Sequence, residues 1–354
     1  MAPNFIPGPV DVAPEVLAAQ ARPILPYRTP EFEAFYQRLG EKAQALFGTR
    51  RGVLMAGMAG SGMMETALRS LVTQRVLFGI NGEFSHRWYQ MGQANGKTAD
   101  PLEVDPGNPI PPERLENALK GHDYDALVLP HIESSTGVQN DLPALIEVAR
   151  QTSPDTLIIV DAISSIGGAP MAFDAWNLDL VLTSSQECLA APPGLSLAVA
   201  SERALKRAEK VPARGWYSDL LLMEKHRQND SVPTTPAISL LFALDAQLDR
   251  ILAEGLANRF ERHATLSGLV YAWAIENNMR PLAEEQHRAM TTTTIRNSRG
   301  WDVMALNKFL RQRGMMVANG VGELKDNTLI IATMGDKQQS DVEELLAALK
   351  SFGK

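Results

Sequence analysis

Ser184-Ser185-Gln186-Glu187-Cys188 follows an apolar stretch, Leu178 to Leu182, and leads into the rigid corner Pro192-Pro193-Gly194. Gln186 and Glu187 therefore stand at the end of what reads as a buried strand, where an amide and a carboxylate need a ligand or a polar partner. Asp161 is placed in the same way, closing the apolar run Ile158-Ile159-Val160, and is either a structural cap or a ligand contact. His131, Glu133, Ser134, Ser135 and Thr136 crowd the end of a third apolar run, Ala126 to Leu129. That is more polarity than a turn requires, with a cap for the next helix as the alternative. Ala59-Gly60-Ser61-Gly62-Met63-Met64-Glu65 lies between a strand and a helix. Small residues there let backbone N–H groups at a helix N-terminus approach an anion, although a plain tight turn reads the same way. Asn81-Gly82-Glu83-Phe84 ends another strand, either as part of a site or as a turn with Phe84 as a core aromatic.

Other chemistries lack their residues. His226, His263 and His287 stand isolated on helical or loop surfaces, and no His/Asp/Glu spacing suggests a metal. No Gly-x-Ser-x-Gly elbow occurs, and Asp161-Ala162-Ile163-Ser164-Ser165 is not a dinucleotide fingerprint. Cys188, beside Leu189-Ala190, reads as a small buried side chain.

The elements that must position these residues alternate. The first 30 residues carry seven prolines, which excludes a regular helix or central strand and implies an extended arm, residues 1–30. Thr29-Pro30 then opens a helix whose Phe32, Phe35, Leu39, Ala43 and Leu46 share one face. Short apolar runs at Val53, Val76, Ala126, Leu157, Leu178 and Leu195 follow, with helices from Met63, Phe84 and Leu142 between them. That alternation implies an α/β domain, residues 31–240, with a mostly parallel sheet between helices and its site at the carboxyl ends of the strands. Beyond it, long helices from Ile238 and Leu256, a threonine-rich strand from Thr291, a strand at Leu329 and a closing helix behind Ser340 as cap read as a smaller α+β domain, residues 241–354.

Net charge is −7 and no basic tract occurs, which disfavours nucleic acid and anionic membranes. The single cysteine precludes an intrachain disulfide and fits a cytoplasmic setting. The N-terminus shows no secretory pattern, and no run of 18 apolar residues offers a membrane span.

Taken in order, these motifs resemble the class V pyridoxal-phosphate-dependent aminotransferases, in particular the alanine–glyoxylate, serine–pyruvate and aspartate aminotransferase subgroup. The matching residues are Pro7-Gly8-Pro9, Arg28-Thr29-Pro30-Glu31-Phe32, Gly60 to Glu65, Asn81 to Phe84, Glu133 to Val138, Asp161 to Ser165, Ser185-Gln186 with Ala191 to Gly194, Arg214 to Tyr217, Thr234-Thr235-Pro236 and Glu254-Gly255-Leu256. The resemblance spans essentially the whole chain and implies fold type I of the pyridoxal-phosphate transferases and a homodimer. It implies that Gly60, Ser61 and Gln186 hold the cofactor phosphate, with Thr234 reaching it from the neighbouring subunit. Phe84 would stack on the pyridine ring, Asp161 pair with its nitrogen, Ser135 contact the ring-hydroxyl side, and Gly8 border the substrate.

Two departures stand out. Where the family has the lysine that bonds covalently to the cofactor aldehyde, this chain has Glu187, and a carboxylate cannot do so. Where the family has the arginine that clamps the substrate carboxylate, Leu329-Ile330-Ile331-Ala332-Thr333-Met334-Gly335 supplies Ile330. Three functions remain open. The chain holds pyridoxal or pyridoxamine phosphate noncovalently and acts on a substrate other than an ordinary α-amino acid; it is a dead-pocket binding or scaffold pseudoenzyme; or it is a residual transaminase to a 2-oxo acid such as glyoxylate or pyruvate.

Overall fold

The computed structural model describes residues 3–352. A seven-stranded sheet carries the larger unit, in the spatial order Leu54–Ala56, Ser196–Ala200, Leu180–Ser184, Leu157–Asp161, Ala126–Pro130, Arg75–Ile80 and Thr98–Glu103. The last five run parallel, and Ser196–Ala200 is antiparallel to both of its neighbours. The central strands are buried throughout, and apolar up to their carboxyl ends, because helices cover both faces. Thr98–Glu103 escaped notice in the sequence because it is a mostly polar edge strand interrupted by Pro101, a position where a missing N–H is tolerated.

Helix Pro30–Phe47 forms as its sequence dictates. Thr29 accepts from Phe32 N, proline occupies the first turn, and Phe32, Phe35, Tyr36, Leu39, Ala43, Leu46 and Phe47 turn one apolar face to the core.

The N-terminal arm requires a correction, since it does hold a helix, Pro14–Ala19, begun by a proline where the lost N–H has no partner anyway. Ahead of that helix, Asn4–Phe5 pairs in parallel with Met316–Asn319 and forms one edge of a four-stranded sheet with Thr328–Ala332 and Thr292–Arg296. Phe5 is buried among Val317, Leu329 and Ile331, so residues from both ends of the chain share the smaller core.

Core packing also shifts the division between units. Helix Ile238–Glu254 buries Phe242, Leu244, Leu248 and Ile251 in the core of the large sheet, whereas helix Leu256–Glu276 sends Leu266, Val270 and Trp273 into the small one. The change therefore falls at Gly255 rather than at residue 240. His263 is fully buried rather than on a surface, with Nδ1 2.7 Å from Arg259 O, because its helix is covered on that face as well. The closing helix, Gln339–Ser351, is capped by Gln338, whose N–H donates to Asp341 Oδ2 at 2.8 Å, and Ser340 lies inside the first turn. Among the described residues no helix is long and apolar enough to cross a membrane.

Candidate functional site

A cavity of about 250 Å³ opens at the carboxyl ends of the parallel strands, lined by Gly60, Ser61, Phe84, Asp161, Gln186 and Glu187 among others. Six of the residues singled out in the sequence thus converge, and the topology explains how. Asp161 ends one strand, Gln186 and Glu187 follow the adjacent strand Leu180–Ser184, and Phe84 follows Arg75–Ile80.

Helix Gly60–Leu71 points its N-terminus at this cavity. Its N-cap is Ala59, which makes no side-chain cap bond, and its first turn contains no acidic residue. Gly62 N donates to Ala59 O at 2.8 Å, and the N–H groups of Gly60 and Ser61 are left for an anion, which the helix dipole also favours. A Cβ at Gly60 would lie 2.5 Å from Ile163 Cδ1, so a larger residue there requires the Ile163 side chain to shift.

Phe84 is half-buried and lines the cavity rather than filling the core, with the exposed Arg87 guanidinium 5.0 Å from its ring centre. One turn further along, Trp88 Nε1 donates to Asp161 Oδ2 at 2.8 Å, while Ile163 N donates to Oδ1 at 3.0 Å. Asp161 is therefore both a local cap and a cavity wall. Burial pushes its carboxyl up to about 6, opposed by those two donors, raised by neighbouring Glu133 and lowered by Arg87.

Glu187 is fixed from two sides. Ser164 Oγ donates to its Oε2 at 2.6 Å, and a Cβ on Gly8 of the arm would lie 2.9 Å from its Cγ. Val10 N donates to Gln186 O at 2.9 Å, so the arm straps this segment. Burial pushes the Glu187 carboxyl up to about 8; Ser164 opposes the rise, and Asp161 and Glu133 add to it. Among the described residues no lysine lines the cavity, and Arg87 is the one cation on a wall that also carries Asp161, Glu133 and Glu187.

Glu133 has a role that the sequence did not reveal. Its carboxylate accepts from Phe84 N at 3.4 Å, Ser85 N at 2.8 Å and Ser85 Oγ at 2.8 Å, capping helix Glu83–Ala94 across strands. Arg87 and Trp88 could have been found, because they sit three and four residues after Phe84 and a helix places such positions on one face. The helix that Glu133 caps is distant in sequence, and nothing local signals that contact.

Other candidates fall outside the cavity. Ser135 lies behind its wall, donating to Glu133 Oε1 at 2.7 Å and accepting from Glu83 N at 3.0 Å. Thr234 lines a separate cavity of about 240 Å³ with Tyr36, Met55, Tyr217 and Pro236. Ile330 is 2% exposed in the small sheet opposite Thr294 and Ala318. Leu329 and Ile331 enter the small core, so alternation turns Ile330 and Ala332 to the other face, where Ala332 packs with Cys188 and Ala190 beside Glu187. Cys188 is fully buried, as expected, and burial raises its thiol well above the ordinary range. A wider groove of about 650 Å³ runs past Glu103, Asp105, Glu113, Asp141 and His287. Among the described residues no group of His, Cys, Asp and Glu could hold a metal.

The family model described as Aminotransferase class-V matches residues 75–323. An uncharacterized aminotransferase of Methanocaldococcus jannaschii is 32% identical, over 99% of this chain and 93% of its own. The crystal structure of an alanine–glyoxylate aminotransferase from Nostoc sp. superposes with a TM-score of 0.92 at 28% identity, covering 99% of this chain and 95% of that one. A pyridoxamine–pyruvate aminotransferase from Mesorhizobium loti gives 0.91 at 26% identity, covering 99% and 92%.

Proposed function

The chain belongs to the class V aminotransferases, and from that premise we propose that it holds the cofactor noncovalently, in its amine form, and acts on a carbonyl compound that lacks an α-carboxylate. Membership of the family implies a pyridoxal phosphate cofactor. The cavity fits most of that group: an uncapped helix N-terminus with Ser61 and Gln186 for the phosphate, Phe84 for the ring face, and Asp161 for the ring nitrogen. It does not fit the covalent bond, because Glu187 occupies the position of the amine.

The observation that carries the proposal is the charge balance around Glu187. Three carboxylates and one arginine line the cavity, no arginine acts on Glu187, and burial disfavours an unpaired negative charge. A ligand ammonium at Glu187 and a protonated ring nitrogen at Asp161 both relieve this, whereas the aldehyde form brings the ring nitrogen but no cation to Glu187. When bound, pyridoxamine phosphate supplies a primary amine attached to an electron-withdrawing ring. The chain's part would be to hold the phosphate at Gly60–Ser61, offer Phe84 to the ring face and Asp161 to the ring nitrogen, and accept or return a proton at Glu187 Oε1. Ile330, apolar on the face turned toward the site, supports a substrate without a carboxylate.

The name of the Mesorhizobium loti protein shows that an amine-form vitamer serves as a substrate of this fold. A residual transaminase has less support, since no lysine lines the cavity. The scaffold reading draws on one observation: Ser164 and Gly8 hold Glu187 so firmly that it could serve as a plug. A homodimer is part of the proposal, supported by Trp216 and Tyr217, 63% and 51% exposed, beside the cavity that holds Thr234.

The test is addition of each cofactor form to the purified chain, followed by absorbance and melting temperature. The amine form should stabilise the chain more than the aldehyde form. Stabilisation by neither would overturn the proposal in favour of the scaffold.

A further inference from the structure

Ser164 lines the cavity beside Glu187 and is hydrogen-bonded through both its side chain and its carbonyl. Its side chain is buried and donates to Glu187 Oε2 at 2.6 Å. Its carbonyl accepts Thr291 Oγ1 at 2.8 Å and Cys188 Sγ at 3.2 Å, and Thr291 O accepts in turn from Thr333 N at 2.9 Å. A continuous chain of hydrogen bonds thus leads from the small sheet, through the threonine-rich segment, to one oxygen of Glu187.

Resting on the reading that Glu187 meets a ligand ammonium, we propose that Ser164, clamped by Thr291, is a positioning residue that fixes Glu187 Oε2 and thereby presents Oε1 to the cavity. The described residues supply no hydrogen-bond donor to Oε1. The charged groups that face Glu187 are Asp161 from the end of its strand, Glu133 from the segment Ile132–Glu133 and, beyond them, Arg87 from helix Glu83–Ala94. The arm brings only backbone at Gly8, and Arg259 reaches the segment through Cys188 O at 2.9 Å without touching the carboxylate. The Ser164 hydroxyl is therefore the one group that directly favours the ionised form, against burial and two like charges.

The test begins on the ligand-free full chain, with carbon-13 labelled glutamate and the Glu187 carboxyl signal assigned by its loss in Glu187→Gln. Ser164→Ala should move the Glu187 titration midpoint upward by about one pH unit, since a donor to the charged form is lost. Ser164→Thr, which keeps the hydroxyl, should titrate as wild type, and Ser164→Cys, a weaker donor, should shift by less. An unchanged midpoint in both Ser164→Ala and Ser164→Cys overturns the proposal.

A second arm measures affinity for pyridoxamine phosphate and pyridoxal phosphate near neutral pH. Ser164→Ala should lose about tenfold for the amine form and little for the aldehyde form, a tenfold loss being what one pH unit of midpoint shift produces. If the midpoint moves while the wild-type chain binds neither form, the positioning role stands and the cofactor reading falls. If both forms lose affinity equally, Ser164 acts on the fold at large and the proposal fails.

Discussion

Gly8 of the N-terminal arm lies directly on Glu187: a Cβ built there sits 2.9 Å from Glu187 Cγ and 3.5 Å from Gln186 O. The first distance is too short for any side chain and the second is an ordinary contact. Gly8→Ala should therefore destabilise the chain by about 1–3 kcal/mol through overpacking. In a Glu187→Ala background the Cγ is gone, and the penalty should shrink by at least about 0.5 kcal/mol. Any loss intrinsic to the backbone is common to both backgrounds and cancels in the cycle. Denaturant unfolding of the four proteins measures this, and strict additivity would show that the arm does not bear on Glu187.

Restoring an amine tests the identity of the cavity from the opposite direction. Glu187→Lys puts a primary amine beside Phe84, Asp161 and the uncapped helix at Gly60. With pyridoxal phosphate and borohydride this variant should gain one cofactor mass on the intact chain, and wild type should gain none. Capture by wild type at a single site would mean that another lysine takes over, which would remove the case for noncovalent binding.

Much of this site was legible because backbone geometry imposes it. Apolar runs ending in Asp161, or in Ser184 before Gln186 and Glu187, read as buried strands, and their alternation with helices makes them parallel, which brings their carboxyl ends to one side. Residues acting through distant partners were not legible. Glu133 caps a helix that starts 50 residues earlier in the chain, at Glu83, and Ser164 is held by Thr291, more than 120 residues later; no local pattern encodes either. The short helix at Pro14 was missed because proline density argues against helices in general but not at a helix's first position. Thr234 was placed by resemblance beside the phosphate of a neighbouring subunit, and within this chain it faces a different cavity.

Arg259 ties the small unit to the segment that carries Glu187. Its side chain, 1% exposed, donates to Gly167 O and Cys188 O at 2.9 Å each, to Glu254 Oε2 at 2.8 Å and to Asp336 Oδ1 at 2.9 Å. Arg259→Met leaves two buried carbonyls and a shared carboxylate pair short of a donor, which should cost about 3 kcal/mol. Glu254 keeps Arg262 and Asp336 keeps Arg250 and Gln247, so the loss should stay at the lower end of the range for buried charge pairs. Asp336→Asn, which spares the carbonyl contacts, should cost about 1 kcal/mol. Equal effects of the two substitutions would show that the bonds to Gly167 and Cys188 contribute nothing.

The pH dependence of stability isolates Glu187. Its carboxyl is raised to about 8 in the folded chain by burial, whereas the unfolded chain ionises it near its ordinary value. Between those two values the folded state holds a proton that the unfolded state has lost. Its contribution is therefore fully present at low pH and disappears as pH rises through the folded value, at about 1.4 kcal/mol per pH unit. Asp161, raised to about 6, acts in the same sense but has finished titrating by about pH 7. His131 and His263, lowered by burial to about 4 and about 3, act only below their ordinary value near 6.5. Between about pH 7 and pH 8, ligand-free wild type should lose roughly 1 kcal/mol relative to Glu187→Gln, read from denaturant midpoints. Saturating pyridoxamine phosphate should abolish that difference in slope, because an ammonium beside Glu187 favours its charged form. A wild-type slope that persists with ligand bound would mean that the amine does not reach Glu187.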